Sequence, residues 1–193
     1  HVLEQSAVTI TKTGDVIAQF TVNLPARGRS ILAYKAIDIF DKVIPQFVSQ
    51  SLIYKAMNGQ ELEYHVKCVE DQDWLRKELE GRGLVGFVVD GAVLPRASGA
   101  DDVPMKDSRE DKVVRFQSPD TLRTSFELPN LQKTISGMGI PKGITLIVGG
   151  GFHGKSTLLS ALQLGIYDKI PKDGREFVVC DDKSVKIRAE DGR

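Results

Sequence analysis

Two hydrophobic rhythms run along the chain, and the switches between them mark its elements. Residues 7–23 read AVTITKTGDVIAQFTVN, two stretches rich in Val, Ile, Thr and Phe on either side of Thr13, Gly14 and Asp15. β-Branched residues suit a pleated surface and glycine turns easily through positive φ, so this stretch predicts a β-hairpin. After Pro25 the apolar positions Ile31, Leu32, Ile37, Phe40, Val43 and Ile44 fall at helical spacing, with Ser30 placed to cap the helix. Pro45 ends that helix or opens another carrying Phe47, Val48, Leu52 and Ile53, which Asn58 and Gly59 then break. Residues 60–80 are charged and helical in pattern, with Trp74 and Leu75 as core contacts. Gly81 and Gly83 stop that helix, and the apolar run 84–89 predicts a buried strand.

Residues 97–112 carry almost no large apolar side chain and read as a charged loop between domains. Strand signals return at 113–116 and 124–128. Gly137, Gly139 and Pro141 punctuate the approach to a further apolar strand, 144–148. The expected organisation is an α+β domain over 1–96, a loop over 97–112, and an α/β nucleotide-binding domain beginning within 113–193. No internal repeat or low-complexity segment interrupts this pattern.

The strand at 144–148 leads into Gly149, Gly150, Gly151, Phe152, His153, Gly154, Lys155 and Ser156, which fit G-x-x-x-x-G-K-[ST] without mismatch, and a helical run follows from Thr157. These residue types suit one task. Glycines let backbone N–H groups turn inward around phosphates, and the following helix points its partly positive N-terminus at them. Lys155 is expected on the β and γ phosphates, the Ser156 hydroxyl on Mg²⁺, and the Ser156 and Thr157 amides at the α and β phosphates. His153 offers either a catalytic imidazole or a side chain that merely shapes the rim of the loop.

Composition narrows the partners. The 193 residues hold 26 Lys plus Arg against 26 Asp plus Glu, so no overall basic field marks a nucleic-acid binder and charge has to be read locally. Cys68 and Cys180 are too far apart in sequence for a metal pair or a disulfide framework and suit a reducing, intracellular compartment. No apolar run approaches the roughly 18–20 residues of a membrane span, so no membrane partner is expected. The sequence begins at His1 rather than Met, so a targeting leader is not legible from it.

The class of phosphate-binding loop follows partly by exclusion. An Asn-Lys-x-Asp base-reading motif does not occur, which argues against a GTPase. Residues 177–182 are an apolar strand ending in Asp181 and Asp182, open to reading as an Mg²⁺-site acid or as an ordinary strand with solvated carboxylates. Phe126 could stack on adenine or lie in the core, the latter favoured by its strand-like setting.

At this point a resemblance enters. Residues 137–159 resemble the predicted ABC-class ATPases, and so do 173–179 with 185–193, and upstream 24–29, 89–99 and 116–119. The resemblance implies an ABC-type ATPase without transmembrane domains, an N-terminal domain ahead of the nucleotide-binding core, ATP and Mg²⁺ as cofactors, and a homodimer binding ATP between subunits. Family members continue past the point matching Arg193 to a signature region, an acidic Mg²⁺ strand and a catalytic glutamate, so the catalytic residues are unknown here. Glu190 stands where ABC proteins place a loop sensing Mg²⁺ and the γ-phosphate, or else in a solvated turn. One member of the family is an RNA-binding ATPase of the kinetoplastid mitochondrial RNA-editing machinery. Similarity to it implies RNA as a partner, a larger ribonucleoprotein assembly and a mitochondrial location. Arg27 and Arg29, flanking Gly28, are the candidate RNA or phosphate contacts, with a solvated loop as the plain alternative. Lys106, Arg109, Lys112 and Arg115 form a second basic cluster, diluted by Asp107, Glu110 and Asp111. An ATP-binding switch or scaffold that recognises a protein and turns over little ATP is the competing reading.

Overall fold

The computed structural model describes residues 1–106 and 112–187, and the chain divides into two compact units: Glu4–Glu63, and His1–Leu3 with Tyr64–Arg193. The first unit begins with the expected hairpin, β1 (Val8–Ile10) against β2 (Val16–Ala18), antiparallel with Thr9 opposite Ile17. Gly14 takes φ 89° in the turn, and the Thr13 hydroxyl donates to Asp15 at 2.6 Å. A second hairpin pairs β3 (Ala26–Arg27) with β4 (Ser30–Ile31) around Gly28 at φ 60°. Ser30 therefore lies in a strand and caps nothing. Helix α1 (Ala33–Asp38) starts behind Leu32 without a side-chain cap. A π-helical turn, Ile39–Val43, leads directly into α2 (Ile44–Ser51), whose first turn contains Pro45. The missing proline N–H costs one hydrogen bond, and the turn before it widens while the helical backbone runs on.

The second unit is a sheet with a helix on each face. Helix α3 (Gly59–Gly81) is followed by β5 (Leu84–Val89), β6 (Arg123–Leu128), β7 (Lys133–Pro141), α4 (Lys155–Gln163) and β8 (Val178–Cys180). The strand order is β6-β7-β5-β8 and every neighbouring pair is antiparallel. Side chains alternate across this sheet. Phe87, Phe126, Leu128, Ile135 and Val179 meet Cys68, Leu75 and Leu79 of α3 in one core, while Val88, Met138 and Val178 meet Ala161 of α4 in the other. Phe126 is 1 % exposed and stands edge-on to Phe87, so it belongs to the core and is withdrawn from any nucleotide base.

Four expectations are corrected by this arrangement. First, β5 pairs with both β7 and β8, so residues 84–89 lie inside the second unit and the division falls at Glu63, not near residue 96. The described part of the 97–112 loop is folded back within that unit, with Ala97 N–H donating to the Val103 carbonyl at 2.8 Å. Second, Gly137 and Gly139 are strand residues rather than punctuation: a Cβ on Gly137 would lie 2.2 Å from the Val88 carbonyl oxygen, so only glycine lets β5 and β7 approach here. Third, 113–116 is not a sheet strand. Phe116 instead exchanges hydrogen bonds with Gly91 and Ala92 at 2.8 and 2.9 Å, bracing the turn after β5. Fourth, 144–148 does not form a strand. Ile144, Leu146 and Val148 are more than four-fifths exposed, because no described strand lies beside them to supply a ladder.

Candidate functional site

Residues 149–154 turn out from the unpaired 144–148 segment and close on the first turn of α4. Two left-handed residues make the turn, Phe152 at φ 61° and Gly154 at φ 79°. Gly154 occupies the N-cap position, and no side chain caps the helix. The leading N–H groups of α4 thus have no partner within the helix, and its dipole favours an anion there. The α4 axis is anchored by Ala161, 3 % exposed, with Leu158 and Leu162 packed into the same core. Beyond its far end the buried Lys169 ammonium donates to the Leu164 and Tyr167 carbonyls at 2.5 and 3.0 Å, holding the turn that follows the helix. Burial pushes Lys169 down to about 8.

Within the loop, Lys155 donates its ammonium hydrogen to the Gly150 carbonyl. The His153 ring lies against the same residue: a Cβ on Gly150 would meet the imidazole carbon Cε1 at 3.0 Å and Nδ1 at 3.2 Å. A side chain at 150 would push this ring aside by a few tenths of an ångström. Ser156 is exposed and Thr157 half-buried on the first turn of α4. This is a short, glycine-lined cradle with an uncapped helix end and one lysine that has only a loop carbonyl to hold, and a magnesium-bound polyphosphate fits each of those features.

The P-loop domain model of the ABC ATPases matches residues 58–193, and a model described as the N-terminal part of the ABC-class ATPases matches residues 1–55. The chain belongs to the ABC-class ATPases. Its two family segments meet close to the structural division at Glu63. An uncharacterized protein of Methanocaldococcus jannaschii is 30 % identical over 124 residues, covering 58 % of the chain and 26 % of the relative. The chain thus spans about a quarter of the length of that curated relative. These matches establish the ABC-class family. The kinetoplastid RNA-editing identity and mitochondrial location suggested by resemblance are finer than anything they carry. Among the described residues, no helix of this ABC-class ATPase is long and apolar enough to cross a membrane.

The remaining sequence candidates separate cleanly. Asp181 and Asp182 follow β8 at its end, with Asp181 half-buried, Asp182 exposed and the Asp181 N–H bonded to the Val85 carbonyl at 3.0 Å. Arg27 and Arg29 sit on the exposed β3–β4 turn of the first unit. Glu190, Arg109, Asp107, Glu110 and Asp111 lie outside the described residues. One group that pattern reading missed is Arg175, 2 % exposed, whose guanidinium donates to the carbonyls of Val93, Leu94, Pro95 and Asp102 at 2.7–3.1 Å. It pins the 93–102 loop to the segment before β8. The family resemblance marks both segments, but a single sequence contains no signal that one arginine joins them.

Proposed function

We propose that this chain is the ATP-binding portion of an ABC-class ATPase, holding Mg²⁺ and ATP at Gly149, Gly150, Gly151, Phe152, His153, Gly154, Lys155, Ser156 and Thr157. The observation that carries this reading is the uncapped N-terminus of α4 behind a left-handed Gly154, with Lys155 tied only to a carbonyl of its own loop. ATP would draw Lys155 from Gly150 onto the β and γ phosphates, Ser156 would hold Mg²⁺, and the first amides of α4 would face the phosphate chain. Bound Mg²⁺ supplies charge neutralisation of the terminal phosphates; the protein's own residues position them. Hydrolysis, and ATP-dependent closure of two copies into a homodimer, are functions of the longer protein in this reading.

RNA is the macromolecular partner we assign, within a larger ribonucleoprotein assembly. Support comes from Arg27 and Arg29, two exposed guanidinium groups spaced by the left-handed Gly28 on a tight turn, a geometry suited to backbone phosphates. The competing reading, a protein-binding switch with little turnover, is favoured by the exposed apolar side chains of the same unit, including Ile37, Phe40 and Val43.

Titration of the chain with fluorescent ATP and Mg²⁺ tests the nucleotide assignment. Lys155→Ala is expected to weaken binding by at least about tenfold, the cost of a lost charge-assisted contact of roughly 1.5–3 kcal/mol. Unchanged affinity in that variant would sink the assignment.

A further inference from the structure

A cavity of about 420 Å³ opens in the second unit between residues 93–106 and the turn 170–174, within the roughly 300–1,000 Å³ of small-molecule sites. Both of its walls are braced. The Arg175 guanidinium holds the carbonyls of Val93, Leu94, Pro95 and Asp102, the Met105 N–H donates to the Pro95 carbonyl at 2.9 Å, and the Val93 N–H reaches across to the Gly174 carbonyl at 2.8 Å. A Cβ on Gly174 would stand 3.2 Å from Val93, so the two walls touch there. The phosphate loop precedes α4 and the 170–174 turn follows it, and no residue of that loop lines this cavity.

The lining combines two chemistries. Val103 and Ile170 are about half exposed, apolar surface that the fold leaves open at the cavity. Lys106 and Lys172 stand beside them, both exposed, and neither ammonium has a hydrogen bond or ion pair among the described residues. Arg115 adds a guanidinium, one N–H of which is given to the Gly91 carbonyl at 3.2 Å. Asp173 is the carboxylate of the lining, but Arg175 and Lys169 already act on its charge, so it does not cancel the two lysines. Lys172 is held at φ 67°, a left-handed backbone that costs a lysine free energy and that an ordinary turn would give to glycine.

We propose that this cavity is a second ligand site, which takes a small phosphomonoester with a flat apolar body, the chemistry of a nucleoside monophosphate. A phosphomonoester carries a charge of about −1.5 to −2 at pH 7, which two unpaired ammonium groups match, whereas a single carboxylate would leave one of them uncompensated. The ring of the ligand lies on Val103 and Ile170, and Asp173 accepts from a sugar hydroxyl. This site goes beyond the ATP reading and does not depend on it.

The test is equilibrium dialysis of radiolabelled AMP against the whole 193-residue chain, with adenosine and inorganic phosphate as separate probes. Wild type and Lys155→Ala are expected to bind AMP alike, because the phosphate loop takes no part in this site. Lys172→Gly suits the left-handed backbone and so keeps the fold, but it should bind AMP about tenfold more weakly, the size of one charge-assisted contact. Ile170→Ser should weaken AMP and leave inorganic phosphate unchanged. AMP binding that survives intact in Lys172→Gly, or that disappears in Lys155→Ala, would overturn the proposal. So would an affinity for adenosine or inorganic phosphate equal to that for AMP, or no AMP binding by wild type.

Discussion

In the unit built from Tyr64 onward, Leu75, Phe87, Val88 and Val179 are wholly buried, whereas in Glu4–Glu63 no residue at all is buried. Both regions are rich in apolar side chains, so composition does not explain the contrast. In the second unit β5 joins partners from distant parts of the chain, and the alternation of Phe87 with Val88 fills a core on each face of the sheet. In the first, two hairpins and a short helical run make mainly local contacts, and Phe20 edge-on to Phe47 at 5.6 Å is as close as it comes to an aromatic cluster. Apolar residues become a core only where topology brings two faces together. Ile37, Phe40 and Val43, each 53–56 % exposed, have the spacing of a buried helix face without a facing layer.

That contrast makes a large and measurable difference in mutational cost. Phe126→Ala should lower stability by about 3–5 kcal/mol, because it empties a site bounded by Phe87, Trp74 and the Arg82 guanidinium. Phe47→Ala, 44 % exposed in wild type, should cost less than about 1 kcal/mol. Urea titration of both variants checks the pair, and equal losses would break the comparison.

A smaller effect lies in the pH dependence of the second unit. Lys169 holds its proton less tightly when folded, with a value of about 8 against 10.5, so the unfolded chain binds more protons in between and stability rises with pH across that window. Burial raises Cys68 and Cys180 from 9.0 to about 11, which acts oppositely: that stability is complete below 9 and is lost as pH climbs through 11. Denaturation midpoints should therefore rise slightly from pH 8 to 9 in wild type and fall in Lys169→Met, where only the cysteine effect remains. A rise of equal size in the variant would remove Lys169 as its cause.

How much of this was legible in the sequence differs between the same two regions. The Gly14 hairpin, the helix bearing Leu75, strand 84–89 and the loop from Gly149 to Ser156 were all readable, because each is a local pattern with a local cause. What misled were residues whose role depends on distant partners. Gly137 looks like a turn glycine until Val88 is seen pressed against it. Residues 144–148 look like a buried strand, and their apolar run is real, but a strand needs neighbours and none of the described residues provides one. Ser30 carries a capping side chain, yet the left-handed Gly28 turns the chain so that Ser30 pairs with Arg27 instead. The site's residue types were readable; the meeting of His153 and Lys155 at Gly150 was not, since side-chain direction in a glycine loop depends on the positive φ at Phe152 and Gly154.

The central claim is that a nucleotide's phosphates are held by the backbone of the loop and the open end of α4. Amide hydrogen exchange of the chain with and without ATP and Mg²⁺ tests it most directly, because it reads the backbone itself. The account predicts slowed exchange confined to the amides of residues 150–157, and its loss in Lys155→Ala. Unchanged exchange there, or protection appearing instead around Asp90, Arg115 and Arg123, where another cavity opens, would contradict it.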